Sequence, residues 1–188
     1  MLAESETAMR APVRPVLRLV SVISPEPCPP GAARSALTES FGPVALESRP
    51  YPFDMSCYYE TEMGPGLFRV WLAFERLAPP DGIAKWKEEC SVLEDLFRTN
   101  GSRTVNLDPG YLDFGKLVLA SFKEAPDKIC AGRGVWVHTC LRFRFGRFEA
   151  PDHSFPDFRD GRFDGFMLEA RRAYSAMLRR IAEAPPVE

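Results

Sequence analysis

Two groups of side chains in this sequence have the types and spacing to handle a small molecule. The first lies in the segment Pro50 to Gly66, which carries Asp54, Tyr58, Tyr59, Glu60 and Glu62. Tyrosines stack on rings or donate to an oxyanion, and carboxylates bind a cation or take a proton. The second group is Asn106, Asp108, Tyr111 and Lys116, with Lys123 a little further on. Its lysines would hold an anion while the carboxylates bind magnesium or act as base. Together the ten residues are the candidate site for a small anionic ligand or a nucleotide, with Mg2+ as a cofactor if a nucleotide binds. Long structured loops in compact domains are often functional. The competing account of residues 50–66 is an Ω-like loop packed by its own aromatics.

Gly110 and Gly115-Lys116 come one residue short of a phosphate-binding loop. That motif needs G-x-x-x-x-G-K followed by Ser or Thr, between a strand and a helix, so that N–H groups wrap the phosphates and the hydroxyl holds magnesium. Here Leu117 occupies the hydroxyl position, Asp113 would repel phosphate, and LVLAS reads as strand. A turn at Asp108-Pro109-Gly110 is the preferred reading, since proline presets one φ and glycine accepts a positive one.

Other chemistry is weaker. Cys130, His138, Cys140 and His153 match no zinc spacing, and a buried cysteine with a surface histidine accounts for them better, so no metal site is assigned. LRFRFGRF places Arg142 and Arg144 on one strand face and Phe143 and Phe145 on the other, an amphipathic strand more than an RNA ribbon. Two histidines assemble no Ser-His-Asp triad. Whether the protein is an enzyme stays open at this level.

The elements that must position these residues follow from periodicity. The 188 residues suit one domain, with 45% apolar and 27% charged side chains. PVLRLVSVIS, from Pro15, is a nearly continuous apolar run, as in a buried strand. AARSALTESF reads as a helix closed by Gly42-Pro43, VALES as a strand, and LFRVWLAFE as an alternating strand. After Asp81, a proposed cap, Ile83, Trp86, Cys90, Leu93 and Phe97 repeat at helical spacing as far as Asn100-Gly101. RTVNLD closes the set as a fourth strand. The order β-α-β-β-α-β predicts an α+β protein with a ferredoxin-like core over residues 15–108. Residues 109–184 add antiparallel strands and a C-terminal helix starting near Asp160, making one domain over 15–184 behind a disordered lead-in, residues 1–14. Net charge is −2, with an acidic excess before residue 116 and a basic excess after it, far below a nucleic-acid footprint. Five scattered cysteines, no secretory leader and no long apolar span predict a cytoplasmic protein away from the membrane.

The stretches YPFDMSCYYETEMGPGL, RTVNLDPGYL, KLVLAS and SFPDFRD, in that order, resemble domain-of-unknown-function family 4416, a bacterial family. The likeness runs from about Pro15 onward. Some members are labelled GTP-binding proteins, which is the nucleotide expectation the resemblance carries. His138 stands where relatives carry an acidic residue, and His153 where they carry tryptophan. The alternative to a ligand site is a non-enzymatic interaction or regulatory module, ferredoxin-like sheets being common docking surfaces.

Overall fold

The computed structural model describes residues 12–183. The lead-in expected over residues 1–14 lies almost wholly outside the described residues. The elements, in chain order, are β1 (Leu17–Ser24), α1 (Gly31–Phe41), β2 (Val44–Glu47), β3 (Tyr51–Pro52), α2 (Glu60–Met63), β4 (Phe68–Phe74), α3 (Ile83–Leu96), β5 (Arg98–Thr99), β6 (Ser102–Arg103), β7 (Asn106–Leu112) and β8 (Lys116–Ser121). They continue with β9 (Ile129–Cys130), β10 (Trp136–Arg144), β11 (Arg147–Glu149), α4 (Pro156–Arg159) and α5 (Asp164–Glu183). This is an α+β architecture with an antiparallel sheet and a C-terminal helix.

One sheet runs β11-β10-β8-β7-β1-β4-β2, with β3 added to β4 and β9 to β10. Helices cover both faces, which explains why β1 reads as a continuous apolar run instead of alternating. On one face Val20, Val22, Val70, Leu72 and Leu107 pack against Leu37 and Phe41 of α1 and Ile83, Trp86 and Cys90 of α3. On the other, Leu17, Leu19, Trp71 and Leu117 meet Phe166, Met167, Ala170 and Tyr174 of α5. Trp86 is buried on the apolar stripe of α3, as its spacing predicted. The Tyr174 hydroxyl donates to the Pro15 carbonyl at 2.8 Å and ties α5 to the start of β1.

Four local expectations are corrected. Asp108-Pro109-Gly110 is not a turn but the middle of β7, so the strand ends at Leu112 rather than at residue 108. The turn comes after it, where the Asp113 carboxylate accepts the N–H groups of Gly115 (2.8 Å) and Lys116 (2.9 Å). An internal carboxylate thus takes the loop's amides, and strand β8, not a helix, follows. Asp81 lies in a short 3-10 turn, Pro80–Gly82, and does not cap α3 with its side chain. Asn100 (φ 53°) and Gly101 (φ 82°) form the tip of the β5–β6 hairpin, after α3 has already ended. Finally, the C-terminal helix expected from near Asp160 starts at Asp164, after the short α4 and a break containing Gly161 at φ 77°.

Candidate functional site

The site begins with a gap in the sheet. β7 and β8 are paired only at Gly110–Leu119, Tyr111–Val118 and Leu112–Leu117. The next position toward the start of β7 is Pro109, which has no N–H to give a neighbouring strand, and there the two strands separate. The backbone groups freed at Leu107 are met by α3. Leu107 N–H donates to Glu94 Oε1 at 2.6 Å, and its carbonyl accepts from Lys87 Nζ at 2.8 Å. A lysine and a glutamate on the buried stripe of a helix thus replace a strand partner.

These two residues belong to a closed ring of charge. Lys87 Nζ also donates to Asp108 Oδ1 at 3.2 Å, and Asp108 Oδ2 accepts from Asn106 Nδ2 at 2.8 Å. Asn106 Oδ1 accepts from Arg103 at 3.0 Å, and Arg103 returns to Glu94 at 3.2 Å. Glu62 of α2 holds Arg103 from outside, with contacts of 2.9 and 2.7 Å. Burial opposes the Lys87 charge, but the carboxylates of Asp108 and Glu94 outweigh it and hold its pKa above the ordinary lysine value. Burial dominates at Glu94 and raises its pKa.

Beside this ring opens a cleft of about 430 Å3. A second buried pair forms part of it: Arg69 of β4 approaches Asp157 of α4 at 3.0 Å and donates to Ser21 at 2.8 Å. The approach to Asp157 is not aligned as a hydrogen bond, and Arg69 Nε has no partner among the described residues. The rings of Phe53, Trp71, Phe158 and Phe163 surround this guanidinium within 6 Å. They compensate its charge in part by cation–π attraction. At the mouth, Lys123 Nζ sits 3.4 Å from the centroid of Tyr58, and Lys128 Nζ donates to the Lys123 carbonyl at 3.0 Å. Neither ammonium has a carboxylate partner among the described residues, and burial lowers both pKa values.

His138 lines the same cleft. It was expected at the surface and is buried instead, because β10 pairs it with Leu119 and the segment around His153 and Phe155 covers it. Its Nε2 lies 3.2 Å from Cys140 Sγ, and Nδ1 has no partner among the described residues. Burial first, then Lys128 and His153, hold its pKa down to about 4. An unfolded histidine takes its proton near 6.5. The stability linked to this group is therefore fully present above pH 6.5 and drains as pH falls toward about 4, by up to about 1.4 kcal/mol per pH unit. Urea denaturation across that window should show a steeper loss in the natural protein than in His138→Gln. Equal slopes would mean the imidazole is protonated in the fold.

Of the ten residues singled out in the sequence, the fold gathers Tyr58, Tyr59, Asn106, Asp108 and Lys123 around the cleft. Asn106 and Asp108 open β7 instead of closing a strand, so they stand at the end of the sheet where β4 begins, close to the 50–66 loop. Glu62 is one step back, bound to Arg103. Asp54 lies outside the cleft, paired at 2.9 Å with Arg162, whose hydrogen bond holds the carboxyl pKa down. Glu60 is exposed and is not part of the cleft's lining. Tyr111 and Lys116 stand at the far end of β7 and the start of β8, where Lys116 pairs with Asp113. Sequence reasoning missed Lys87, Glu94, Arg103, Lys128 and Asp157. Lys87 and Glu94 left a visible sign, since both fall on the same helical face as Ile83 and Cys90. Among the described residues no three His, Cys, Asp or Glu side chains converge to hold a metal ion, and no helix is long and apolar enough to cross a membrane.

No curated protein and no solved structure matches the chain. A family profile described as a domain of unknown function, DUF4416, matches residues 14–174, from just before β1 to Tyr174 in α5. That span holds the whole sheet and every side chain of the cleft, and the chain belongs to the DUF4416 family.

Proposed function

We propose that the cleft binds a small anionic molecule carrying a flat ring, a nucleotide being the type that fits. The observation that carries this reading is the pairing of opposite features in one cavity. Lys123 and Lys128, without carboxylate partners among the described residues, stand at its mouth, and Tyr58, Tyr59, Phe122 and Phe155 supply ring faces beside them. An ammonium partly stripped of water and without an ion-pair partner gains from an incoming anion. A volume of this size is in the range of small-ligand sites. The order β7-β1-β4-β2, with α1 and α3 on one face, supports a ferredoxin-like core built from β1, α1, β2, β4, α3 and β7. The exposed free thiols of Cys28, Cys57 and Cys130 support a reducing, cytoplasmic setting.

Calorimetric titration with GMP, GDP, GTP and AMP tests the reading. At least one nucleotide should bind the natural protein, and the double variant Lys123→Ala, Lys128→Ala should bind it about tenfold or more weakly, a loss of about 1.4 kcal/mol. Both lysines sit at the rim, so the thermal midpoint of the unliganded double variant should stay put. Absence of binding by all four nucleotides, or equal binding by the double variant, would refute a nucleotide site and leave a protein-docking face as the better account.

A further inference from the structure

Lys123 and Lys128, which make no ion pair among the described residues, line the cleft with Glu124 and Asp127 between them in the chain, while the carboxylates of Asp108, Glu94 and Asp157 lie inside beside Lys87, Arg103 and Arg69. The three inner carboxylates differ in reach. The side chains of Glu94 and Asp157 are only 6% and 4% exposed, whereas that of Asp108 is 21% exposed. Each Asp108 oxygen already accepts one hydrogen bond, from Lys87 or from Asn106. A carboxylate oxygen accepts two, so one position on each remains open. Leu119 and Ala120 form apolar wall nearby, and the Tyr59 ring is close enough to feel the Asp108 charge.

We propose that Asp108 is the specificity-determining residue of this cleft, reading a planar edge that presents a ring N–H beside an exocyclic amino group. Such an edge offers two parallel donors to the two free acceptor positions, the arrangement that makes carboxylate pairing strong and directional. The ligand is therefore bipolar: a heteroaromatic ring with an amidine-like edge at the inner end, and a phosphate or carboxylate at the Lys123–Lys128 end. A ring presenting only acceptors toward Asp108 would set its lone pairs against the lone pairs of the carboxylate oxygens. This inference rests on the nucleotide reading above and adds the edge that is read.

GMP and IMP separate the two ideas, because they share sugar, phosphate and ring N–H and differ in the exocyclic amino group. The natural protein should bind GMP about tenfold or more tighter than IMP, the discrimination a good bidentate contact supports. Asp108→Asn replaces one acceptor by a donor and should bring the GMP:IMP ratio to within about threefold of one, while IMP affinity falls much less than GMP affinity. Equal affinity of the natural protein for GMP and IMP, or a preference for IMP, would overturn the role of Asp108 while leaving nucleotide binding intact. An equal loss of both ligands in Asp108→Asn would make the residue a support for the charge ring instead of a reader. If neither ligand binds the natural protein, the nucleotide reading fails and this inference with it. Should the variant fold poorly, the GMP:IMP ratio of the natural protein decides alone.

Discussion

Lys87→Met should destabilise the fold by about 3–5 kcal/mol, the usual cost of removing one member of a buried ion pair. The loss has two parts in one place. The Leu107 carbonyl loses its donor, and the carboxylates of Asp108 and Glu94 are left close together without the cation between them. Methionine keeps most of the volume, so the effect reads charge and not a cavity. The check is equilibrium urea unfolding of Lys87→Met, Glu94→Gln and the pair. Glu94→Gln retains an acceptor for the Leu107 N–H, so the pair should recover more than about 1 kcal/mol relative to the sum of the single changes. Strict additivity would show that the ring does not act as a unit.

Gly110→Ala should be of similar size, at least about 3 kcal/mol, above the ordinary range of overpacking. A Cβ at this position would stand 2.0 Å from the Val118 carbonyl oxygen and 2.7 Å from Leu119 Cδ2. Backbone oxygen cannot turn aside as a flexible side chain can, so β8 itself would have to retreat. Gly110 lies in one of the three register pairs that join β7 to β8, and the retreat would loosen all of them. Thermal unfolding of the alanine variant gives the answer. A midpoint within a degree or two of the natural protein would mean that the strands separate there at little cost.

The parts of this fold that could be read from sequence are those set by repetition along the chain. The stripe Ile83, Trp86 and Cys90 announced a helix on the core, and the unbroken apolar run of β1 announced burial on both faces. Asp108-Pro109-Gly110 misled because local preference there is overruled by neighbours. Proline is tolerated where β8 has moved away, and glycine is required one residue later where β8 comes close. Five of the ten residues singled out in the sequence line the cleft, for a related reason. Tyr58, Tyr59, Asn106, Asp108 and Lys123 are polar or amphipathic groups in segments where function was expected. Arg69 and Asp157 sit far apart in the chain and meet only through tertiary packing, so no spacing rule could pair them. Lys87 and Glu94 were visible as charges on an apolar stripe, but their partner is the backbone of Leu107, freed by a strand separation that no local pattern encodes.

That separation also has a mechanical side. Three residue pairs are a narrow seam for a sheet this wide, and they divide it into two plates: β2, β4, β1 and β7 on one side, and β8, β10 and β11 on the other. The cleft lies in the angle where the plates part. Helix α5 packs against both, touching β7 on one side and β11 on the other, and Arg171 anchors it to the Phe114 carbonyl in the connecting turn at 2.9 Å. The helix is thus a splint laid across the seam. Any widening of the cleft by parting of these strands must strain that splint, and the 50–66 loop is tied to its start as well, through Arg162 on Asp54 and the Pro52 carbonyl.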